Sequence, residues 1–255
     1  MYVSTHDTTV TRLVVFVHGF NGKAVDTWRQ FEQPDVNWSW WIQSDLLFVA
    51  YDSLRDSIVG VANRLRRLLP DFYPNNNLSP GQQREYEEIV VLAHSLGGVI
   101  VRRAVCDSVQ LWLEAGSSEQ KPVLVDAVIR LFSPAIAGYR LAGMPGLVKA
   151  FGGLSALEAF LRKSSAFIDL QPGSELLVST RNRTESLAQA RCESLESLRP
   201  AIVWASPDNV VIESRYETDK VDDSWDNTTH SSICKPVLRT FEKPWIFAET
   251  GRTSG

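Results

Sequence analysis

The chain alternates between apolar runs and amphipathic stretches, and that alternation predicts its elements. Thr11–Val17 is β-branched and apolar almost without a break. Such a run fits a parallel strand covered on both faces. Leu46–Tyr51 predicts a second strand. Ile58, Val61, Ala62, Leu65, Leu68 and Leu69 fall at helical spacing, and Pro70 ends the helix. Tyr73–Gln83 is rich in Asn and Pro and reads as a surface connection. Ile89–Ala93 predicts a buried strand. The apolar run after Ser95, broken by Arg102 and Arg103, predicts a helix. Ser117–Pro122 reads as a loop, Val123–Phe132 as a strand, and Ala201–Ala205 as a short strand. Ile233–Phe241 reads as a final helix with Pro236 near its start, leaving the tail after Trp245 to fray.

Residues 138–198 break the alternation. Within them Met144, Leu147, Val148, Phe151, Leu154, Leu157, Phe160 and Leu161 form a helical apolar stripe, interrupted by Gly152-Gly153. The stripe fits two roles: a core-facing helix, or a lid that touches greasy substrate. The lid role would bring peripheral membrane contact. With no repeat, low-complexity tract or linker composition, a single domain over 1–255 is expected.

Composition narrows the class. A chain of 255 residues suits one large α/β domain, and 44% apolar with 22% charged residues is ordinary for a soluble globular protein. Net charge is −4 with no long basic stretch, so no nucleic-acid partner is expected. The pairs Arg66-Arg67 and Arg102-Arg103 read as solvated. Cys106, Cys192 and Cys234 lie far apart, which excludes a zinc ribbon or thioredoxin-like motif and fits a reducing compartment. Met1–Asp7 lacks both a basic n-region and an apolar h-region, and no apolar run is long enough to span a bilayer. A cytoplasmic address is therefore expected. The eight Trp residues suggest packing around a pocket or an interface. Trp28, Trp38, Trp40 and Trp41 fall in a stretch read as loop and short helix, with aromatics near a site mouth.

The chemistry gathers around Ala93-His94-Ser95-Leu96-Gly97-Gly98. A strand that becomes a helix in one step needs a sharp turn with small neighbours. Its apex hydroxyl stands above the sheet edge, over the positive end of the helix. This is a G-x-S-x-G elbow with Ala93 at the first small position. A glycine-rich turn could instead cradle phosphate, but neither G-x-x-x-x-G-K-[ST] nor G-x-G-x-x-G spacing is present. A serine hydroxyl needs a base, and the base needs an acid to orient it. Of the four histidines, His6 lies in a weakly patterned stretch. His18 belongs to a His-Gly turn, and His94 adjoins Ser95 in an elbow that sends neighbouring side chains apart. His230 remains, late in the chain and in a loop. Asp208 is the favoured acid because it follows a strand. Glu213, Asp219, Asp222, Asp223 and Asp226 are its rivals, although Asp222–Asp226 reads equally as a solvated acidic loop.

The His18-Gly19-Phe20 turn, the elbow, a late Asp and a late His, in that order, resemble the α/β-hydrolases, and within them the lipase-like serine hydrolases. The match runs from about Leu13 to Phe241. Three segments resemble the branch of PGAP1-like and SERAC1-like lipase-type hydrolases: Val17–Gly22 followed by Thr27-Trp28, Ala93–Gly98, and His230–Pro236. The resemblance implies the α/β-hydrolase fold: a mostly parallel central sheet flanked by helices, with a helical cap or lid inserted over roughly 138–198. It implies Ser95, His230 and Asp208 as a catalytic triad. It also implies an oxyanion hole from the backbone N–H groups of Phe20 and Leu96. The substrate would be a small-molecule or lipid acyl ester, with no metal or cofactor. Thioester and amide cleavage are variants of the same chemistry. A non-catalytic interaction or sensing module on this scaffold is the alternative of a different class.

Overall fold

The computed structural model describes residues 1–3, 10–32, 38–76, 84–116, 120–140, 164–190 and 195–253. His6, Cys192 and the Met144–Leu161 stripe lie outside the described residues.

The strands are β1 (Tyr2–Val3), β2 (Arg12–Val17), β3 (Ser44–Val49), β4 (Asn75–Asn76), β5 (Arg84–Glu85), β6 (Glu88–His94), β7 (Val128–Phe132), β8 (Ala201–Ser206) and β9 (Val221–Asp226). Seven of them form one sheet in the order β1-β3-β2-β6-β7-β8-β9. Only β1 runs antiparallel to its neighbour; the other pairs are parallel. β4 and β5 make a separate small ribbon. The helices are α1 (Ser39–Ile42), α2 (Ile58–Leu68), α3 (Leu96–Glu114), α4 (Ser165–Asp169), α5 (Glu175–Ala190) and α6 (Lys243–Thr250). No helix among the described residues is long and apolar enough to cross a membrane.

The continuous apolarity of β2 follows from burial on both faces. Leu13, Val15 and Val17 point into one core cluster, while Val14 and Phe16 point into another. The first cluster is covered by α2, α3 and α5, with α3 packed between the other two. The second face is covered by aromatic residues. Trp28, Phe31, Trp41, Trp225, Trp245 and Phe247 pack there around Phe16 and Phe132. The expectation that Trp28, Trp40 and Trp41 stand near a site mouth is corrected accordingly: all three are buried under the sheet. A large ring buries more apolar area than an aliphatic side chain, which suits a face covered by short elements.

Other boundaries also shift. Val123–Val125 is a 3-10 turn, and the strand begins at Val128. The Asp222–Asp226 stretch belongs to β9, at the sheet edge. Ile233–Phe241 is not a helix; it is a series of turns closed by a bridge between Val237 and Phe241. The last helix is α6, with proline in its first turn and Gly251 ending it in a left-handed conformation (φ 69°). Trp245 therefore lies in a buried helix, not at the start of a frayed tail.

Arg102 is not solvated. It lies on α3 with its guanidinium over the Tyr216 ring, 4.0 Å from the centroid, and pairs with the buried carboxylate of Asp219. Asp219 also accepts the Tyr216 N–H at 2.7 Å. This pair ties α3 to the connection between β8 and β9. Arg102→Ala strands a buried carboxylate, and we expect it to lower unfolding free energy by about 3–5 kcal/mol in denaturant titration. Adding Asp219→Asn should recover much of that loss, because the uncompensated charge is gone.

Candidate active site

Ser95 stands between the last residue of β6 and the first of α3, at φ 54° and ψ −121°. A non-glycine residue with positive φ is strained, by about 1–3 kcal/mol. Its surroundings hold it there. The Ser95 N–H donates to Phe132 O at 3.1 Å, and Ser95 O accepts from Gly98 N at 3.0 Å and Ala135 N at 3.1 Å. The first turn of α3 presses against β2: a Cβ on Gly97 would lie 2.4 Å from the carbonyl oxygen of Val17. That close approach is the physical reason for glycine at this step of the elbow.

His230 follows β9 in a turn knit by Thr229 and Ser232. The Thr229 N–H donates to Ser232 Oγ at 2.8 Å, and the Ile233 N–H to Thr229 O at 3.0 Å. Its ring bridges two partners. Nδ1–H donates to Asp208 Oδ2 at 2.9 Å, and Nε2 accepts from Ser95 Oγ at 2.9 Å. Asp208 sits two residues beyond β8. Its other oxygen accepts the N–H groups of Val210 at 2.9 Å and Val211 at 3.1 Å. Burial opposes the Asp208 charge, but the bond to His230, the charge of that ring and the two amides outweigh it. The carboxyl is held below its ordinary range, so it is ionised at neutral pH.

The rival acids lie elsewhere. Asp219 is committed to Arg102, while Glu213, Asp223 and Asp226 are exposed. The Asp222 side chain lies outside the described ones.

The His-Gly turn forms the facing wall. A Cβ on Gly19 would lie 2.8 Å from Ser95 Cβ, so a side chain at this step would collide with the elbow. The Asn21 N–H donates to Ser53 Oγ at 2.8 Å and the Gly22 N–H to Gly19 O at 3.1 Å. Among the described residues, the Phe20 and Leu96 N–H groups have no protein acceptor. His18 stacks on Tyr51 with ring centroids 4.0 Å apart, and the Tyr51 hydroxyl donates to His18 O. Burial pushes the His18 ring below the ordinary histidine pKa. The cleft between the walls holds about 380 Å³.

His94, expected to point away from Ser95, is a neighbour of the base. Its Nε2–H donates to His230 O at 2.7 Å, and the two rings lie 4.7 Å apart. No spacing rule signals a contact across 136 residues of chain. Tyr51 was equally hidden, as one more residue of a predicted strand. Among the described residues, no group of three or more His, Cys, Asp or Glu could hold a metal ion.

No protein family model and no curated protein matches the chain. Solved structures do. The peroxisomal alpha-beta-hydrolase Lpx1 from Saccharomyces cerevisiae is 11% identical, with a TM-score of 0.54 over 98% of this chain and 79% of that one. The alpha/beta hydrolase MGS-MChE2, from a lagoon-sediment metagenome, is 15% identical, with a TM-score of 0.51 over 97% of this chain and 90% of that one. This is the α/β-hydrolase fold. Phospholipase PlaB from Legionella pneumophila is 17% identical over 76% of this chain, with a TM-score of 0.46, and the chain spans 39% of its length. In this fold the carboxyl ends of β6 and β8 carry Ser95 and Asp208, and the segment after β9 brings His230 between them. That is the edge where parallel α/β sheets place their ligands.

His94 gives the site a stability signature. Burial first, then the charge of His230, lower its pKa from 6.5 to about 3. The unfolded chain thus binds a proton that the folded chain refuses, and stability falls as pH drops from 6.5 towards 3. We expect His94→Gln to remove a slope of about 1.4 kcal/mol per pH unit from that window in denaturant titrations. His18, shifted in the same direction, and at the acid end the depressed carboxyl of Asp208 contribute to the slope that remains.

Proposed function

We propose that this protein is a serine hydrolase of carboxylic esters, acting on small-molecule or lipid acyl esters. The observation that carries the reading is the unbroken run of two hydrogen bonds from Ser95 Oγ through His230 to Asp208, each 2.9 Å long. In this reading Ser95 Oγ attacks the acyl carbonyl while His230 Nε2 takes its proton. The C–O bond of the tetrahedral intermediate breaks, and the imidazolium returns the proton to the leaving alcohol. Water then attacks the acyl-enzyme by the same route and releases the acid. Asp208 orients the ring and stabilises its positive charge. The free N–H groups of Phe20 and Leu96 serve as the oxyanion donors, helped by the positive end of α3.

The segments Val17–Gly22, Ala93–Gly98 and His230–Pro236 support the PGAP1-like and SERAC1-like branch. The scattered cysteines support a cytoplasmic address. Phe20, on the cleft wall, faces Tyr139, which packs edge-on against Phe167 of α4. These contacts support a cap over roughly 138–198, belonging to the same single domain.

Hydrolysis of short and long acyl esters, with fluorophosphonate labelling, tests the reading. Ser95→Ala should abolish labelling, and Ser95→Ala or His230→Ala should lower kcat by about 10⁴–10⁶-fold. Asp208→Asn should cost about 10⁴-fold with KM little changed. Labelling absent from the wild-type chain would sink the assignment and favour a binding module.

A further inference from the structure

Resting on the ester reading, the charges around the cleft narrow its substrate. The cleft walls carry three charged side chains: Lys23 and Asp26 beside the His-Gly turn, and Lys235 beside His230. Lys23 and Asp26 face each other at 3.4 Å and are largely exposed. Lys235 is different. It is half-buried, and it forms no ion pair among the described residues. A half-buried lysine lays its stem along the wall and keeps its ammonium free to meet an anion. Asp208, the acid bonded to the neighbouring His230, is already engaged by His230, Val210 and Val211.

Lys235 is also held in place. The turn that carries His230 carries it too, through the Lys235 N–H bond to Ser232 O at 2.9 Å. Its positive charge is felt at the His94 ring and at the Cys234 thiol, both on the cleft wall. The chain as a whole has a net charge of −4, yet lysines outnumber acids two to one in the cleft lining.

We infer that the ester hydrolysed here carries an anionic group, a phosphate or a carboxylate, which Lys235 receives while Ser95 faces the acyl carbon. The cleft then binds one end of its substrate by charge and the rest by shape.

Two matched pairs of esters test this. For a carboxylate, mono-para-nitrophenyl glutarate is compared with para-nitrophenyl valerate. For a phosphate, dihexanoyl phosphatidic acid is compared with dihexanoylglycerol. We expect kcat/KM to favour the anionic member of at least one pair by roughly tenfold, and the favoured pair identifies the source of the charge. Lys235→Gln should collapse that ratio through KM, Lys235→Arg should retain it, and added sodium chloride should weaken it. Equal kcat/KM within both pairs overturns the inference and leaves the ester reading intact. A ratio that survives Lys235→Gln overturns it as well. If no ester is hydrolysed and Ser95 stays unlabelled, the ester reading fails and this inference falls with it.

Discussion

The contact between the first turn of α3 and the end of β2 is the constraint on which the site depends. A helix can start one residue after a central strand only if its opening turn fits against the neighbouring strand. Gly97 at the Val17 carbonyl makes that fit, and Ser95 absorbs the sharp change of direction in its own backbone. Strain of this kind persists only where packing and hydrogen bonds over-determine it. Three backbone bonds to Ser95, a strand buried on both faces and a long helix behind supply that determination. The hydroxyl is exposed to the cleft because the backbone has no other way round.

Charge is arranged around that hydroxyl with little left over. Asp208 has its oxygens engaged, His230 spans acid and serine, and His94 is kept neutral by burial. A neutral His94 matters because a second imidazolium at 4.7 Å would oppose the charge that His230 acquires when it takes a proton. Among the described residues Lys235 is the exception, and its position in the turn of His230 makes its charge part of the same local field.

Much of the fold is readable from the residues, and the reasons are physical. β2, β6 and β8 are covered on both faces, so their side chains are apolar whichever way they point. Ser95, His230 and Asp208 follow from strand ends, chain order and the small number of histidines. The misreadings share a different cause. β9 is an edge strand, and its acidic residues give it the look of a loop, although charge is how an exposed edge avoids pairing with another chain. Ile233–Phe241 has apolar residues without the helix: Ile233, Cys234 and Phe241 reach the second core cluster from successive turns. Trp28 and Trp41 are core residues because short elements on the second face need large rings to cover it. Arg102 hides its charge in a pair formed with Asp219, 117 residues away, which periodicity cannot foresee.

The bond from His94 to the His230 carbonyl bears on motion. His94 is the last residue of the strand that presents Ser95, so the elbow grips the backbone of the residue that carries the base. The His230 turn lies at the protein surface, yet its excursions are tethered to the centre of the sheet. A backbone displacement that carries the His230 turn away from Ser95 must also rupture the His94 bond. Smaller fluctuations carry nucleophile and base together as one body, so their alignment outlasts the breathing of the loop around them.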